Sequence, residues 1–242
     1  MEDQLVRMVN IHKWFGKVHA VNGVDFTVGH DEIVGLVGDN GAGKSTLIKI
    51  LSGIHRPNEG KIYFDGKEVK ISSPRDAMRM GIETVYQEQA LCPEVSLARN
   101  IFMGREPTRF LGLLDKEEMN NKSMEILKDM GLHVGSPDTI VKNLSGGERQ
   151  GVAIARTMHF KAKLLILDEP TMALSVKEAQ RVLQFVKRLK EQGIATVFIT
   201  HNLYHVHPVV ERFVVLSRGR KVADVRKMDT SIDELAKLII AG

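Results

Sequence analysis

The most chemically informative segment runs from residue 38 to residue 45 and reads Gly38-Asp39-Asn40-Gly41-Ala42-Gly43-Lys44-Ser45. It follows the pattern G-x-x-x-x-G-K-[ST], in which glycines let the backbone curl until successive N–H groups point at phosphate oxygens. Lys44 is long enough to reach β- and γ-phosphates, and the Ser45 hydroxyl can bind Mg²⁺. The segment therefore predicts a nucleotide-phosphate site, to which we also assign Thr46.

The elements around this segment decide between a phosphate site and an ordinary glycine-rich turn. A short apolar strand is predicted for 33–37 and a helix for 44–51, ending near Gly53. A strand, a glycine loop and a helix in that order bring the partial positive charge of the helix N-terminus to the phosphates. The flanking pattern therefore favours the phosphate site.

Two carboxylates follow an apolar strand later in the chain, at Asp168 and Glu169. A buried strand over 164–167 carries Asp168 to the carboxyl edge of the sheet, where ligands of open α/β sheets bind. Asp168 suits Mg²⁺, bound through a water molecule. Glu169 is placed to polarise an attacking water. Taken alone such a pair is usually a solvated turn, but together with the phosphate loop it predicts a catalytic role.

The heptapeptide Leu144-Ser145-Gly146-Gly147-Glu148-Arg149-Gln150 contains a second device for binding anions. Ser145 and Glu148 have the S-x-x-E spacing of a capping box at a helix start. Gly146 and Gly147 leave the first helical N–H groups uncovered, and such a helix N-terminus with a serine hydroxyl attracts phosphate. We therefore predict that Ser145, Gly146 and Gly147 contact nucleotide.

This heptapeptide resembles the signature of the ATP-binding cassette (ABC) transporter ATPases, and the similarity extends over nearly the whole chain. The resemblance implies ATP and Mg²⁺ as cofactors. It also implies a second copy of the chain as partner, with the signature of one copy covering the γ-phosphate held by the other. The remaining implied partners are transmembrane permease subunits and, indirectly, an extracellular or periplasmic solute-binding protein.

Three further residues gain a role only from this resemblance. Gln87 is similar to the loop glutamine that touches Mg²⁺ and water, and His201 to the switch histidine at the γ-phosphate. Phe15 is similar to the aromatic residue that stacks on adenine, with Trp14 as a substitute. In isolation these would be a polar loop residue, a surface histidine and a core aromatic residue.

The segment Met172-Ala173-Leu174-Ser175 departs from the family, which commonly has Ser-Ala-Leu-Asp there. The missing aspartate prevents assignment of a role to Ser175. This form of the loop, with the segments 81–87 and 104–106, is similar to the ATPases of monosaccharide importers. Those often fuse two cassettes, whereas one is present here, so we expect two copies of this chain to meet.

The pattern of elements predicts an α/β fold with a P-loop NTPase core and a mostly parallel sheet. We expect one domain over 1–242, with a core of 1–87 and 161–242, an N-terminal antiparallel β subdomain and a helical insert at about 88–160. Further elements are predicted as strands at 5–11, 24–28, 82–86, 194–200 and 213–216, a hairpin at 62–69, and helices at 177–192 and from about 231.

Composition limits the setting of the protein. The net charge is +4, but the 34 basic residues are interspersed with 30 acidic ones along the chain. We therefore expect a surface of mixed charge and no nucleic-acid partner. No apolar run approaches the roughly 18 residues of a membrane span, and the N-terminus lacks a signal-peptide pattern. We expect a peripheral protein on the cytoplasmic face of the membrane. A lone Cys92 excludes an internal disulfide.

Two other functions compete with an importer ATPase. A soluble ABC-type ATPase acting on the ribosome or DNA would carry the same motifs, but such proteins usually have paired cassettes or long coiled-coil inserts. A small GTPase would need an Asn-Lys-x-Asp segment, which the sequence lacks. A metal site at His201, His205 and His207 is disfavoured because no carboxylate or cysteine completes the set.

Overall fold

The computed structural model describes residues 4–86, 91–130, 132, 134–158, 162–172 and 174–241. Its strands are β1 (Gln4–Phe15), β2 (Val18–Gly29), β3 (Ile33–Val37), β4 (Glu59–Phe64), β5 (Lys67–Val69), β6 (Ile82–Val85), β7 (Leu164–Asp168), β8 (Ala195–Thr200), β9 (Arg212–Ser217) and β10 (Arg220–Arg226). Its helices are α1 (Lys44–Leu51), α2 (Pro74–Met80), α3 (Leu97–Phe102), α4 (Lys116–Asp129), α5 (Gly146–Met158), α6 (Val176–Glu191), α7 (Leu203–Val206) and α8 (Ile232–Ala241).

A six-stranded sheet forms the centre of the fold, in the order β10-β9-β3-β8-β7-β6. All neighbours pair in parallel except β10, which runs antiparallel to β9. Strands β3, β7 and β8 are buried at every residue. Continuous apolar strands of this kind occur where both faces of a parallel sheet are covered. The predicted mostly parallel α/β fold is confirmed.

Each face of this sheet has its own core. On one face Leu36 and Val197 pack with Leu47 of α1 and with Phe26 of β2. On the other face the core includes apolar side chains of α5, α6 and α7, such as Phe185 of α6. The sheet is thus held between the phosphate-loop helix with the N-terminal strands on one side and the later helices on the other.

The N-terminal strands form a separate antiparallel sheet in the order β2-β1-β4-β5. The turn between β4 and β5 has positive φ at Asp65 (53°) and Gly66 (75°). Positive φ at both central residues is typical of the type I′ turn that Asp-Gly favours in hairpins. The predicted hairpin and the antiparallel N-terminal region are confirmed, and β1 and β2 are longer than the sequence indicated.

The described residues between β6 and β7 form α3, α4 and α5, as predicted for a helical insert. In α4 the side chains of Met119 and Leu127 are buried, which agrees with their helical spacing. Three elements were not predicted, namely the helices α2 and α7 and the strand β10. Helix α2 begins with Ser73 as its cap and Pro74 in its first turn. Strand β10 alternates half-buried and exposed residues and carries many charges, because only one of its faces packs on the molecule.

Candidate nucleotide site

The phosphate loop joins β3 to α1, the place in the fold that the sequence predicted for it. Two of its glycines are required by close approaches of backbone. Gly38 has φ 150°, and a Cβ there would lie 2.2 Å from the carbonyl oxygen of Leu216. Gly43 has φ 100°, and a Cβ there would lie 2.6 Å from the carbonyl oxygen of Ala20. The loop therefore packs against the backbone of β9 and of the start of β2, and it continues directly into α1.

Lys44 is the cation of this loop, and its side chain folds back over it. Its ammonium donates to the carbonyl oxygens of Gly38 at 2.8 Å and Asp39 at 2.9 Å, and the residue is only 7% exposed. Burial lowers the pKa of Lys44 below its ordinary value, while the carboxylates of Glu169 and Asp168 act in the opposite direction. The two carbonyl contacts hold the ammonium of Lys44 against the loop.

Asp168 lies at the carboxyl end of β7 and is 8% exposed. Burial and the neighbouring Glu169 raise the pKa of Asp168, with Lys44 opposing them. Asp168 lines the same cleft as Ser45. A carboxylate and a hydroxyl oxygen are the hard donors that Mg²⁺ prefers, and a buried, repelled carboxylate gains from a nearby cation. These residues fit Mg²⁺ bound together with a nucleotide.

Glu169 contacts the last residue of the neighbouring strand β8 and the residue that follows this strand. Its Oε2 accepts a hydrogen bond from the Thr200 hydroxyl at 2.8 Å. Its Oε1 accepts from the backbone N–H of His201 at 3.0 Å and lies 2.6 Å from His201 Nδ1. Glu169 itself has φ 51°, which is uncommon for a non-glycine residue. The structure thus brings two of the three sequence-predicted catalytic side chains, Glu169 and His201, into direct contact.

A cleft of about 440 Å³ runs along this site. Its walls combine predicted residues of the phosphate loop and the β7 carboxylates with residues that no motif had indicated. The latter are Val18, His19 and Ala20 at the start of β2 and Arg218 with Gly219 in the turn between β9 and β10. They reach the loop because β2 and β9 flank it, a neighbourhood that sequence spacing does not reveal. The predicted lining residues are Asn40, Gly41, Ala42, Gly43, Lys44, Ser45, Thr46, Asp168 and Glu169.

The signature begins helix α5 with the capping box predicted for it. Glu148 Oε2 accepts from the backbone N–H of Ser145 at 2.8 Å, and the N–H of Glu148 donates to Ser145 Oγ at 3.2 Å. The N–H of Gly147 donates a hydrogen bond of 3.0 Å to Oε1 of Glu178, which lies in the first turn of α6. Among the described residues, none from the signature lines the cleft of the phosphate loop. The two segments that were predicted to bind anions are thus separate surfaces in one copy of the chain.

A comparison of the sequence with models of known families matches residues 21–172 to one described as "ABC transporter". The match covers more than half of the chain and includes the phosphate loop, the signature and both carboxylates. The chain belongs to the ABC transporter family.

Proteins similar to this ABC chain include a xylose/arabinose import ATP-binding protein, XylG, from Sulfolobus acidocaldarius. It is 43% identical over 97% of this chain and 93% of its own length. A ribose import ATP-binding protein, RbsA 1, from Rubrobacter xylanophilus is 44% identical over 98% of this chain. That match takes in only 47% of the relative's length, so the chain spans about half of such ribose relatives.

Solved structures agree on the fold of this ABC ATPase. The ADP conformation of MJ1267, described as an ATP-binding cassette of an ABC transporter, has a TM-score of 0.84 and 26% identity, and it covers 98% of this chain. A dimeric post-hydrolysis state of the cassette MJ0796, bound to ADP and Pi, has a TM-score of 0.80. Within the described part of this chain, no helix has the length and apolar character needed to cross a membrane.

Of the aromatic residues near the phosphate cleft, His19 lines the cleft and Phe15 does not. Phe15 is 43% exposed and packs edge-on against His55, with ring centroids 5.1 Å apart, and it is not among the residues that line the cleft. Trp14 stacks on His19 at 4.3 Å and on His12 at 5.3 Å. The aromatic wall next to the cleft is therefore His19 backed by Trp14, whereas the adenine contact of Phe15 stays a prediction.

The three C-terminal histidines point to different partners. His201 contacts Glu169, His205 Nδ1 lies 3.1 Å from the hydroxyl of Thr171, and His207 stacks on Phe213. Of the remaining predicted site residues, Gln87 lies outside the described residues, so its assignment to Mg²⁺ and catalysis stays a prediction.

Proposed function

We propose that this chain is the ATP-hydrolysing subunit of an ABC importer and that two copies enclose two ATP molecules to drive uptake of a sugar. The observation that carries the proposal is the geometry around Glu169. A carboxylate at the edge of the phosphate cleft contacts His201 directly, beside Lys44 and Asp168. This set of groups matches what phosphoryl transfer to water requires: positioning, a proton acceptor and charge stabilisation.

Hydrolysis begins with the phosphates of ATP entering the loop of residues 38–46. Lys44 then exchanges its two backbone carbonyl contacts for phosphate oxygens, which relieves the cost of a buried ammonium. Mg²⁺, held by Ser45 and Asp168 with the predicted Gln87, would supply neutralisation of the phosphate charge. Glu169 orients the attacking water and accepts its proton, and the contact from His201 fixes the direction of the carboxylate.

A second copy of the chain is needed to complete the site. The signature does not line the cleft of its own copy, so we assign its helix start to the nucleotide of a partner copy. ATP then stabilises the closed pair because it binds both copies only when they meet. The dimeric MJ0796 cassette with ADP and Pi supports this arrangement.

The transport setting rests on the relatives. Both the XylG and the RbsA 1 relatives are named import ATP-binding proteins for pentoses. We propose that this chain lies on the cytoplasmic face of the membrane against a permease, which receives its sugar from a solute-binding protein. The region 88–160 is proposed as the helical insert, and the permease would dock between it and the core, near residues 87–100.

The ATP-dependent pairing is tested with the variant Glu169→Gln, which keeps the size of the side chain and removes its basicity. We expect light scattering to give twice the monomer mass in MgATP and the monomer mass without it. Lys44→Ala in the same background serves as the control and should stay monomeric because phosphate binding is weakened. A Glu169→Gln protein that is monomeric at saturating MgATP would rule out the sandwich.

The transport setting is tested by purifying the tagged protein from solubilised native membranes and identifying its companions by mass spectrometry. A polytopic permease together with a sugar-binding protein is the expected result. Ribosomal proteins or nucleic acid without a permease would assign the same ATPase chemistry to a soluble function.

A further inference from the structure

One carboxylate connects the starts of two helices. Glu178, in the first turn of α6, accepts the N–H of Gly147 in α5 through Oε1 at 3.0 Å. Through Oε2 it accepts the N–H and the hydroxyl of Ser175, at 3.0 and 2.8 Å. A Cβ on Gly147 would lie 2.6 Å from Glu178 Oε1, so the missing side chain of the glycine permits this contact. The carboxylate is thus held by both helices at once.

The same contact fills the anion-binding start of α5. A helix N-terminus binds phosphate through its first N–H groups. Here the N–H of Gly147 is already bonded to the Glu178 carboxylate, and the N–H of Glu148 is bonded to Ser145 Oγ. A phosphate oxygen and a carboxylate oxygen cannot share one N–H without strong repulsion between like charges. A phosphate from a second copy would therefore meet an internal anion at Gly147.

We propose that Glu178 is a built-in competitor of the nucleotide at the signature, and that its carboxylate must leave Gly147 before the ATP of the second copy binds there. The inference rests on the proposed function, because it takes the signature of one copy to face the nucleotide of the other. The competition raises the MgATP concentration that is needed for dimerisation, because ATP must displace the Glu178 carboxylate as well as bring two copies together.

Ser175 can continue to bind the Glu178 carboxylate after the carboxylate has left Gly147. Its N–H and hydroxyl bind Glu178 Oε2, which is a different oxygen from the one on Gly147. Glu178 can therefore release Gly147 by a side-chain rotation while the capping box of α6 remains closed. An aspartate at 175, as the family commonly has, would place a second carboxylate beside Glu178. The serine thus keeps α6 capped without repelling the competitor.

The test measures the MgATP concentration at which half of the Glu169→Gln protein is dimeric by light scattering. Adding Glu178→Gln should lower this midpoint by roughly five-fold, the order of effect of one charge at a helix end. The amide oxygen still accepts from Ser175, so α6 should stay capped. Glu191→Gln, the same change at the last residue of α6, is the control and should leave the midpoint unmoved.

A second variant separates the reach of the side chain from its charge. Glu178→Asp keeps the charge and can still cap α6, but it is one methylene too short to span from α6 to Gly147. It should also lower the midpoint, by less than Glu178→Gln does. A midpoint that is unchanged or raised in both variants overturns the inference while leaving the sandwich intact. A Glu169→Gln parent that never dimerises overturns both proposals.

Discussion

At the scale of single residues, the pair Glu169 and His201 dominates the site. The carboxylate has three contacts on one strand end: the Thr200 hydroxyl, the His201 N–H and the His201 ring. The side chain of Glu169 is 11% exposed and that of His201 is 53% exposed. The histidine thus faces solvent while holding a sheltered carboxylate, which suits a group that orients Glu169 and reaches out to a bound phosphate.

We expect His201→Ala to lower the ATPase kcat by about 10²-fold, the lower end of what a positioned proton-transfer system contributes. Nucleotide affinity should change little, because the phosphate loop is untouched. Steady-state hydrolysis and fluorescent-nucleotide titration measure the two quantities. His207→Ala removes the same kind of ring from a site on Phe213, and it should leave kcat within about two-fold. Equal losses in the two variants would contradict the assignment.

Ser145→Arg addresses the signature at the same scale. The variant removes the hydroxyl that bonds the Glu148 N–H and places a bulky cation at the start of α5. We expect turnover to be abolished, whereas ATP binding by a single copy should be retained, since the signature does not line the phosphate cleft. Normal hydrolysis in Ser145→Arg would remove the signature from the mechanism.

At the scale of elements, the phosphate loop depends on backbone packing that a side chain would disrupt. Gly43→Ala should weaken nucleotide binding at least ten-fold and destabilise the fold by more than the about 1–2 kcal/mol of a left-handed residue. The reason is the carbonyl of Ala20, 2.6 Å from the new methyl group. Gly112→Ala is the matched control, because it has φ 74° but nothing within 4 Å. Isothermal titration and chemical unfolding would report both effects.

The sequence predicts elements where a local signal is strong. The strand Ile33–Val37 and the helix Lys44–Leu51 have the predicted bounds, because an apolar run and a glycine-rich loop delimit them. Strand β10 was missed since its charges hide a half-buried alternation. Helix α2 could have been found from Ser73-Pro74, a cap followed by a proline at the helix start. The contact of Glu178 with Gly147 joins residues 31 positions apart, and no local pattern reports it.

At the scale of the whole molecule, Arg212 connects the two sheets. Its guanidinium donates to both oxygens of Glu32, which precedes β3, and to the carbonyl of Thr27 in β2 of the antiparallel sheet. It also donates to Asp224 of β10 at 2.7 Å. Four donor contacts from one planar group are a geometry that lysine cannot reproduce. This residue therefore fixes the N-terminal sheet against the central sheet and also holds β10, the antiparallel edge strand of the central sheet.

Arg212→Lys should lower the free energy of unfolding by about 2–3 kcal/mol, because several charge-assisted hydrogen bonds are lost at a largely buried site. Denaturant unfolding measures the change. Arg109→Lys offers a control, since Arg109 also pairs with two carboxylates, Asp115 and Glu117, but its side chain is 57% exposed. The control should lose clearly less stability than Arg212→Lys does, because solvent screens an exposed ion pair. Similar losses in both variants would contradict a special role for Arg212.

The ion pair between Arg212 and Asp224 predicts how the free energy of unfolding depends on pH. Partial burial alone would raise the pKa of Asp224, but the hydrogen bonds from Arg212 and Lys221 outweigh it and lower that pKa. A carboxyl with a lowered pKa in the folded state contributes its stability above the unfolded pKa of about 3.9 and loses it as pH falls through the folded value. Asp224→Asn should therefore be less stable than the parent at pH 7, and the gap should narrow as the pH is lowered below about 4. Denaturant unfolding of both proteins at pH 7 and at a pH below about 4 tests this. If the difference in unfolding free energy between parent and variant is the same at the two pH values, the carboxylate of Asp224 does not contribute to the pH dependence of stability.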